Sequence, residues 1–517
     1  MSLFLGLDLS TQSLKATFLD VNSKSIAHEA SVGFDDDLPQ YGTELGVLAG
    51  MPGGVAEAPP HLWRDALVLL LGRISQEVDL SSVRALSVGG QQHGLVALDA
   101  GGELSRKTAK LWNDVSTVAE ADELERRMGG RAATLAHVAN TMRPGYTAPK
   151  VLHLKLHEPE VYARTDLFLL PHDYLNYLLA GRAAMEYGDA SGTALWDPVR
   201  RAWSAVAVEA VGSELWSKLP EVLPPDKPIG KAGTVLARRL GLPQDCLVDA
   251  GSGDNMYGAV GTGNVRPGLL TVSLGSSGTA YTVLENPFTD PEGEIACFCD
   301  STGYWLSLVC TSNLAGPYES MLAAFNLEHA DMELLSARLQ PGEGGRLILP
   351  WLQGERTPDV PHGKPLLFGF GPADLTAESL CRPVMDGVLL NLAEGCKRLP
   401  VQVGEIRLTG GLSRSRTWRQ ALADIFNLPV VPLSIEGVSL GAAIHAAWVW
   451  HRDQGEPLAL AELCAAFVQL EETDRAIPQP ETVARYHLLR RCFAALSARA
   501  RGLPGAEDPF EVARLLE

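Results

Sequence analysis

The chain has 517 residues, 46% of them hydrophobic and 20% charged, with a formal net charge of −19 at pH 7. That length exceeds what one hydrophobic core usually serves and predicts two or three domains, while the composition excludes a wholly disordered chain. The acidic balance argues against an electrostatic grip on nucleic acid or anionic lipid.

Leu3–Leu9 reads as a buried strand, 10–13 as a polar turn and 15–19 as the return strand, so the chain opens on a hairpin. The start carries Asp8 and lacks a basic stretch before it, unlike a secretion signal, and no apolar run approaches the roughly 18 residues of a membrane span. Residues 33–60, rich in Gly, Pro and Asp, predict a long excursion. Leu62, Ala66, Leu69, Leu70 and Ile74 make the stripe of an amphipathic helix within 61–78. Residues 83–88 predict a strand running into Gly89-Gly90-Gln91-Gln92-His93-Gly94, and 95–98 resume it. Residues 115–129 and 148–182 carry helical patterns. Pro220, Pro224, Pro225 and Pro228 break the periodicity and place a domain connection near 220–250, which divides the chain into lobes 1–249 and 250–517.

The second half repeats this logic. Residues 269–274 predict a strand, 275–279 a turn of glycines and hydroxyls, and 280–284 the return strand. Residues 405–411 repeat the strand-to-glycine step of 83–90. The pattern predicts an α/β protein of two related lobes with a cleft between them. A helical, Ala- and Leu-rich tail follows residue 452 and carries no predicted chemistry. The 8 cysteines are scattered without a C-x-x-C pair, which predicts reduced thiols and a cytoplasmic protein.

Several polar groups sit at strand ends, each with a functional and a plain reading. The first turn brings Asp8, Ser10, Thr11, Gln12 and Lys15 together. Such a turn can aim N–H groups and hydroxyls at phosphate, with the Asp holding Mg²⁺ through water, or it can be an ordinary polar hairpin. The matching turn at Gly275, Ser276, Ser277 and Thr279 lets the pair grip one triphosphate from two sides. Gly410-Gly411, followed by Leu412-Ser413-Arg414-Ser415, admits a nucleotide close to the backbone or merely helps helix and strand pack. Glu436-Gly437 and the small residues to Ala443 suit ligand approach and helix packing equally. Asp254, between glycines at a loop-to-helix junction, is a proton acceptor for a hydroxyl nucleophile or a helix cap. Gln92 and His93 suit sugar hydroxyls, or His93 is a satisfied buried histidine. Trp112-Asn113-Asp114 offers an aromatic face with polar groups, or is a surface Trp capped by a turn. Neither the Walker A pattern nor G-x-G-x-x-G after the first strand is present.

Taken in order, Asp8-Leu-Ser-Thr-Gln-Ser-Leu-Lys15, Gly90-Gln-Gln-His-Gly94, Trp112-Asn-Asp114, Asp173-Tyr-Leu and Asp189-Ala-Ser-Gly192 resemble the FGGY carbohydrate kinase family. So do Gly253-Asp-Asn255, Ser273-Leu-Gly-Ser-Ser-Gly-Thr279, Gly354-Glu-Arg-Thr-Pro358, Thr409-Gly-Gly411 and Gly437-Val-Ser-Leu-Gly-Ala-Ala443. Within the family the chain is most similar to the xylulose-phosphorylating members, and residues 34–43 resemble the subgroup that includes the animal enzymes. The resemblance implies two lobes of the actin-like ATPase (ribonuclease H-like) fold and the reaction ATP + D-xylulose → ADP + D-xylulose 5-phosphate. It implies Asp254 as base, Asp8 as Mg²⁺ holder, and Gln92, His93, Asp254 and Asn255 at the sugar, with Trp112, Asp114 and Arg143 beside it. It implies Ser10, Thr11, Gln12, Lys15, Gly275, Ser276, Ser277, Thr279, Gly410, Gly411, Arg414 and Ser415 along ATP. Ser10 stands where many members have Gly, and Arg414 and Ser415 stand near where some relatives have a nucleotide-contacting Asn. A small-molecule sugar is the expected partner, with no nucleic acid and no membrane; the sequence is compatible with a homodimer. Two alternatives differ in substrate and in class: a kinase for ribulose, gluconate or glycerol, and a nucleotide-dependent switch without a small substrate.

Overall fold

Seven consecutive buried residues, Leu3–Leu9 (β1), form a central strand of the first sheet. Ser13–Asp20 (β2) returns antiparallel to β1, and Ser25–Gly33 (β3) antiparallel to β2. On the other side of β1, Val83–Gly90 (β4) runs parallel to it. Pro228–Lys231 (β5) pairs antiparallel with Leu247–Asp249 (β6), which runs parallel to β4, and Ser252–Gly253 (β7) pairs with the end of β4. The computed structural model describes residues 2–516 apart from residues 353, 435 and 436, so Glu436 lies outside the described residues.

The second sheet repeats the layout. Leu269–Leu274 (β8) pairs antiparallel with Gly278–Leu284 (β9). Ala296–Cys299 (β10) pairs with Trp305–Thr311 (β11), which pairs antiparallel with β9. Glu405–Thr409 (β12) runs parallel to β8, and Val430–Pro432 (β13) parallel to β12. In each half an antiparallel hairpin is extended by parallel strands on the side of its first strand, as the recurring pattern predicts.

The helices that position the site are Pro60–Ile74 (α1), Val118–Arg127 (α2), Thr147–His157 (α3), Pro171–Ala180 (α4), Asp254–Gly261 (α5), Ala315–Phe325 (α6), Arg416–Phe426 (α7) and Val438–Asp453 (α8). Residues 148–182 are not one helical stretch: a short helix, Pro159–Arg164, and a strand, Leu167–Leu169, separate α3 from α4. The apolar Leu-Phe-Leu run pairs with Val96–Leu98, and Pro159 and Pro171 each start a new helix, which a continuous helix would not tolerate.

The small residues before and after Gly441 serve packing. A Cβ added at Gly6 in β1 would lie 1.9 Å from the Ser439 carbonyl oxygen, and one at Gly441 would lie 1.9 Å from that of Tyr257 in α5. Helix α8 therefore rests backbone to backbone on both β1, which carries Asp8 near its end, and α5, which begins with Asp254. Thr17 and Ser439 hydroxyls meet at 2.9 Å in the same interface. The tail forms helices Leu460–Phe467, Pro480–Ala500 and Pro509–Ala513. Its buried Tyr486 donates to Asp386 at 2.6 Å, tying the tail to the second lobe. All 8 cysteines are free thiols, and no described helix is long and apolar enough to cross a membrane.

Candidate active site

Three strand ends of the first sheet converge. Asp8 lies opposite Gly89 in β4, Leu9 opposite Gly90, and Gly90 opposite Gly253, the residue before Asp254. Glycines allow this close approach: a Cβ at Gly253 would fall within 2.7 Å of the Gln92 side chain. Asp8 is 8% exposed, and its Oδ1 has no hydrogen-bond partner among the described residues. Burial pushes its carboxyl up to about 6, against the lowering effect of Lys15 across the hairpin. Asp254 is pushed up to about 7, first by burial and then by the charges of Asp8 and Asp189. Asp254 is the first residue of α5 and makes no helix cap. Its Oδ1 accepts from the Asn255 N–H at 2.7 Å and the Asn255 amide at 2.9 Å, while Oδ2 accepts from no described residue.

Behind Asp254 lies a buried polar chain. Asn255 Nδ2 donates to Gln92 Oε1 at 2.8 Å, and Gln92 Nε2 donates to Asp189 Oδ1 at 3.2 Å. His172 Nε2 meets Asp189 Oδ2 at 3.1 Å. Asp189 and His172 hold the amides in one orientation. The local sequence gave these two residues no role, because their partners lie far away in the chain.

His93 sits at φ +64, a conformation that costs a non-glycine residue strain. Its carbonyl accepts from Thr147 Oγ1 at 3.1 Å and Lys150 Nζ at 2.8 Å, both on α3, which hold the turn. The ring meets Tyr146 edge to face at 4.6 Å. Burial pushes His93 down to about 3, so the imidazole is neutral at physiological pH and its Nδ1 has no partner among the described residues. Arg356 of the second lobe reaches the same side, with its Nη1 at 3.3 Å from Cys310 Sγ, and its charge is felt at His93, Tyr146 and Arg143. Glu355 fixes that loop by accepting from Asn313 and Asn391. The motif 354–358 contained Arg356, but nothing local pointed it at His93.

Other expected contacts are placed differently. Asp114 is fully buried: Oδ2 accepts from the Ala56 N–H and Lys110, and Oδ1 from Ser116, so it braces its own loop and does not face a sugar. The Ser10 hydroxyl turns back onto Ser13 at 3.0 Å, which withdraws it from a phosphate. Trp112 Nε1 donates to Thr11 Oγ1 at 2.9 Å, so the indole braces the first turn and leaves its ring 37% exposed. Arg143 donates to Thr141 and to the Gly293 carbonyl of the second lobe. Gln12 and Lys15 are exposed at the tip and flank of the hairpin.

In the second lobe a cavity of about 550 Å³ opens beside the turn at Gly275 and Ser276 and the step at Gly411, Arg414 and Ser415. Gly410 has φ +89, and a Cβ there would lie 2.5 Å from the Leu274 carbonyl oxygen. Ser415 caps α7 by accepting from the Trp418 N–H. Tyr318 and Trp418 line the cavity and meet edge to face at 5.4 Å. Ser277 and Thr279 lie on the same hairpin outside that lining. Tyr318 is a further residue that the local pattern missed, since a lone Tyr in a helix reads as core.

The FGGY family of carbohydrate kinases matches through its N-terminal domain over residues 3–261 and its C-terminal domain over residues 271–450. The chain is 34% identical over 496 residues to a xylulose kinase of Haemophilus influenzae, covering 94% of this chain and 97% of that one. The crystal structure of a xyloylose kinase from Brucella ovis superposes with a TM-score of 0.87 at 25% identity, covering 97% and 99% of the two chains. That of ligand-bound xylulose kinase from Lactobacillus acidophilus does so with a TM-score of 0.87 at 21% identity, covering 98% and 99%. The chain belongs to the FGGY family of carbohydrate kinases: it is an enzyme of two actin-like ATPase lobes that phosphorylates a small carbohydrate with ATP.

Proposed function

We propose that this kinase transfers the γ-phosphoryl group of ATP to the terminal hydroxyl of D-xylulose, giving ADP and D-xylulose 5-phosphate. The observation that carries the mechanism is the uncommitted Oδ2 of Asp254, on a carboxylate held near pKa 7 at the meeting point of three strand ends. A base whose pKa lies close to the working pH combines proton affinity with a substantial ionised fraction. The sugar assignment rests on the near-full-length likeness to curated xylulose kinases.

Asp254 Oδ2 takes the proton of the terminal hydroxyl as that oxygen bonds to the γ-phosphorus and the bond from phosphorus to the leaving oxygen of ADP breaks. Neutral His93 and the oriented pair Gln92 and Asn255 hold the other hydroxyls. Asn255 spends its amide N–H groups on Gln92 and Asp254, so its Oδ1 is the atom left to accept from sugar. Thr11 on one side and Ser276, Ser277, Gly410 and Gly411 on the other lie along the phosphates, and the adenosine occupies the cavity lined by Tyr318 and Trp418. The partnerless, buried Oδ1 of Asp8 suits a hard cation, so Asp8 would hold Mg²⁺, directly or through water. When bound, Mg²⁺ neutralises charge on the transferring phosphates. The protein's share of catalysis is then positioning and exclusion of water between the lobes.

A panel of D-xylulose, D-ribulose, D-gluconate and glycerol, followed by coupled ADP detection, tests the sugar. D-xylulose should give the highest kcat/KM; a higher value for any of the other three overturns the assignment.

A further inference from the structure

Helices α2 and α3 of the first lobe pack together, and at their contact three ligand-type side chains meet. His153 and His157 are one helical turn apart on α3, a spacing that puts both imidazoles on one face. Glu120 of α2 is 5% exposed and lies between them. Its Oε1 is 3.1 Å from His153 Nδ1 and 2.8 Å from His157 Nε2, and the two rings are 4.4 Å apart. One ligand atom from each residue can be chosen so that all three lie within 4.8 Å of one another. The side chains are graded in exposure, from the buried Glu120 through His153 at 22% to His157 at 56%, so the group is anchored from below and open from above.

We propose that Glu120, His153 and His157 form a surface zinc site that clips α2 to α3. Two imidazole nitrogens and one carboxylate oxygen make a donor set suited to Zn²⁺ and foreign to Mg²⁺ or Ca²⁺, which take oxygen ligands. Zinc–ligand bonds of about 2.0–2.1 Å in a tetrahedron put ligand atoms roughly 3.3 Å apart. The two histidine-to-carboxylate separations, 3.1 and 2.8 Å, are hydrogen-bond contacts that must open slightly to reach that spacing. The His157 side supplies the open fourth position to water. The same helix carries Thr147 and Lys150 at its other end, beneath the His93 carbonyl, so the clip stiffens the support of the sugar-side turn without touching it.

The test is zinc titration of the untagged, EDTA-stripped full chain by calorimetry, wild type against His153→Gln/His157→Gln and Glu120→Gln. Subtracting the double variant removes any zinc taken by Asp8 or by the thiols. Wild type should bind one equivalent more than the double variant, and Glu120→Gln should weaken that equivalent at least about tenfold. Zinc should also raise the melting temperature of wild type more than that of the double variant. Equal stoichiometry in wild type and the double variant overturns the proposal and leaves a hydrogen-bonded His–Glu–His cluster. If the double variant does not fold, crystals of wild type soaked in zinc decide: an anomalous peak bonded to the three residues supports the site, and its absence overturns it.

Discussion

Replacing Asp254 by Asn removes the proposed base while keeping its size and its bonds to Asn255. A positioned base contributes about 10²- to 10⁴-fold, or roughly 3–5 kcal/mol of transition-state stabilisation, so kcat should fall by that factor. The structure adds a sign. A carboxyl held at about 7 must lose its proton to act, so wild-type kcat/KM should fall as pH drops through 7, and the variant should lack that limb. The same carboxylate opposes folding. Below about pH 4 both the folded and unfolded chains hold the proton, and nothing is lost. Between 4 and 7 the unfolded chain ionises first, and above 7 the full cost remains. A shift of about three pH units corresponds to the order of 4 kcal/mol. Asp254→Asn should therefore unfold at higher denaturant than wild type at pH 8 and no higher at pH 4. Coupled ADP assays and urea titrations at the two pH values read both effects. Near-normal turnover in the variant, or an acidic limb that persists in it, would refute the reasoning.

Asp8→Asn should lose most activity and regain part of it at raised Mg²⁺, measured as kcat against metal concentration; unchanged activity at ordinary Mg²⁺ removes its proposed role. His93→Ala should raise the sugar KM more than the ATP KM, and Tyr318→Ala should do the opposite, each by about tenfold, read by varying one substrate at a time. Gly6→Ala drives a methyl into the Ser439 carbonyl and should destabilise the chain by about 1–3 kcal/mol in urea titration. A variant as stable as wild type would show that α8 does not rest on β1 as described.

The paired hairpins were legible because strand length, turn chemistry and the glycine steps are local signals, and both halves carry them. The boundary between α3 and α4 was less so: the three residues Leu167–Leu169 suit a helix as well as a strand, and only their pairing with Val96–Leu98 decides. The site was legible at its glycine-flanked groups, Asp254 and the turn before His93, where a polar residue beside glycine stands out. It was illegible where the deciding fact is distant. Asp114 and Asp254 both lie beside an Asn in sequence, yet one is saturated by Lys110 and Ser116 and the other keeps an oxygen free. Arg356 and Tyr318 come from elements whose local pattern is ordinary, and tertiary packing alone carries them to the cleft. The small-residue run ending at Ala443 had two readings of equal standing, and the contacts of Gly6 and Gly441 favour packing.

A crystal structure of the chain with D-xylulose and a non-hydrolysable ATP analogue puts the central claim to its most direct test. The account predicts the sugar's terminal hydroxyl oxygen within hydrogen-bond reach of Asp254 Oδ2 and on the line to the γ-phosphorus. A sugar bound with that hydroxyl turned away from Asp254, while another carboxylate meets it, would contradict the account.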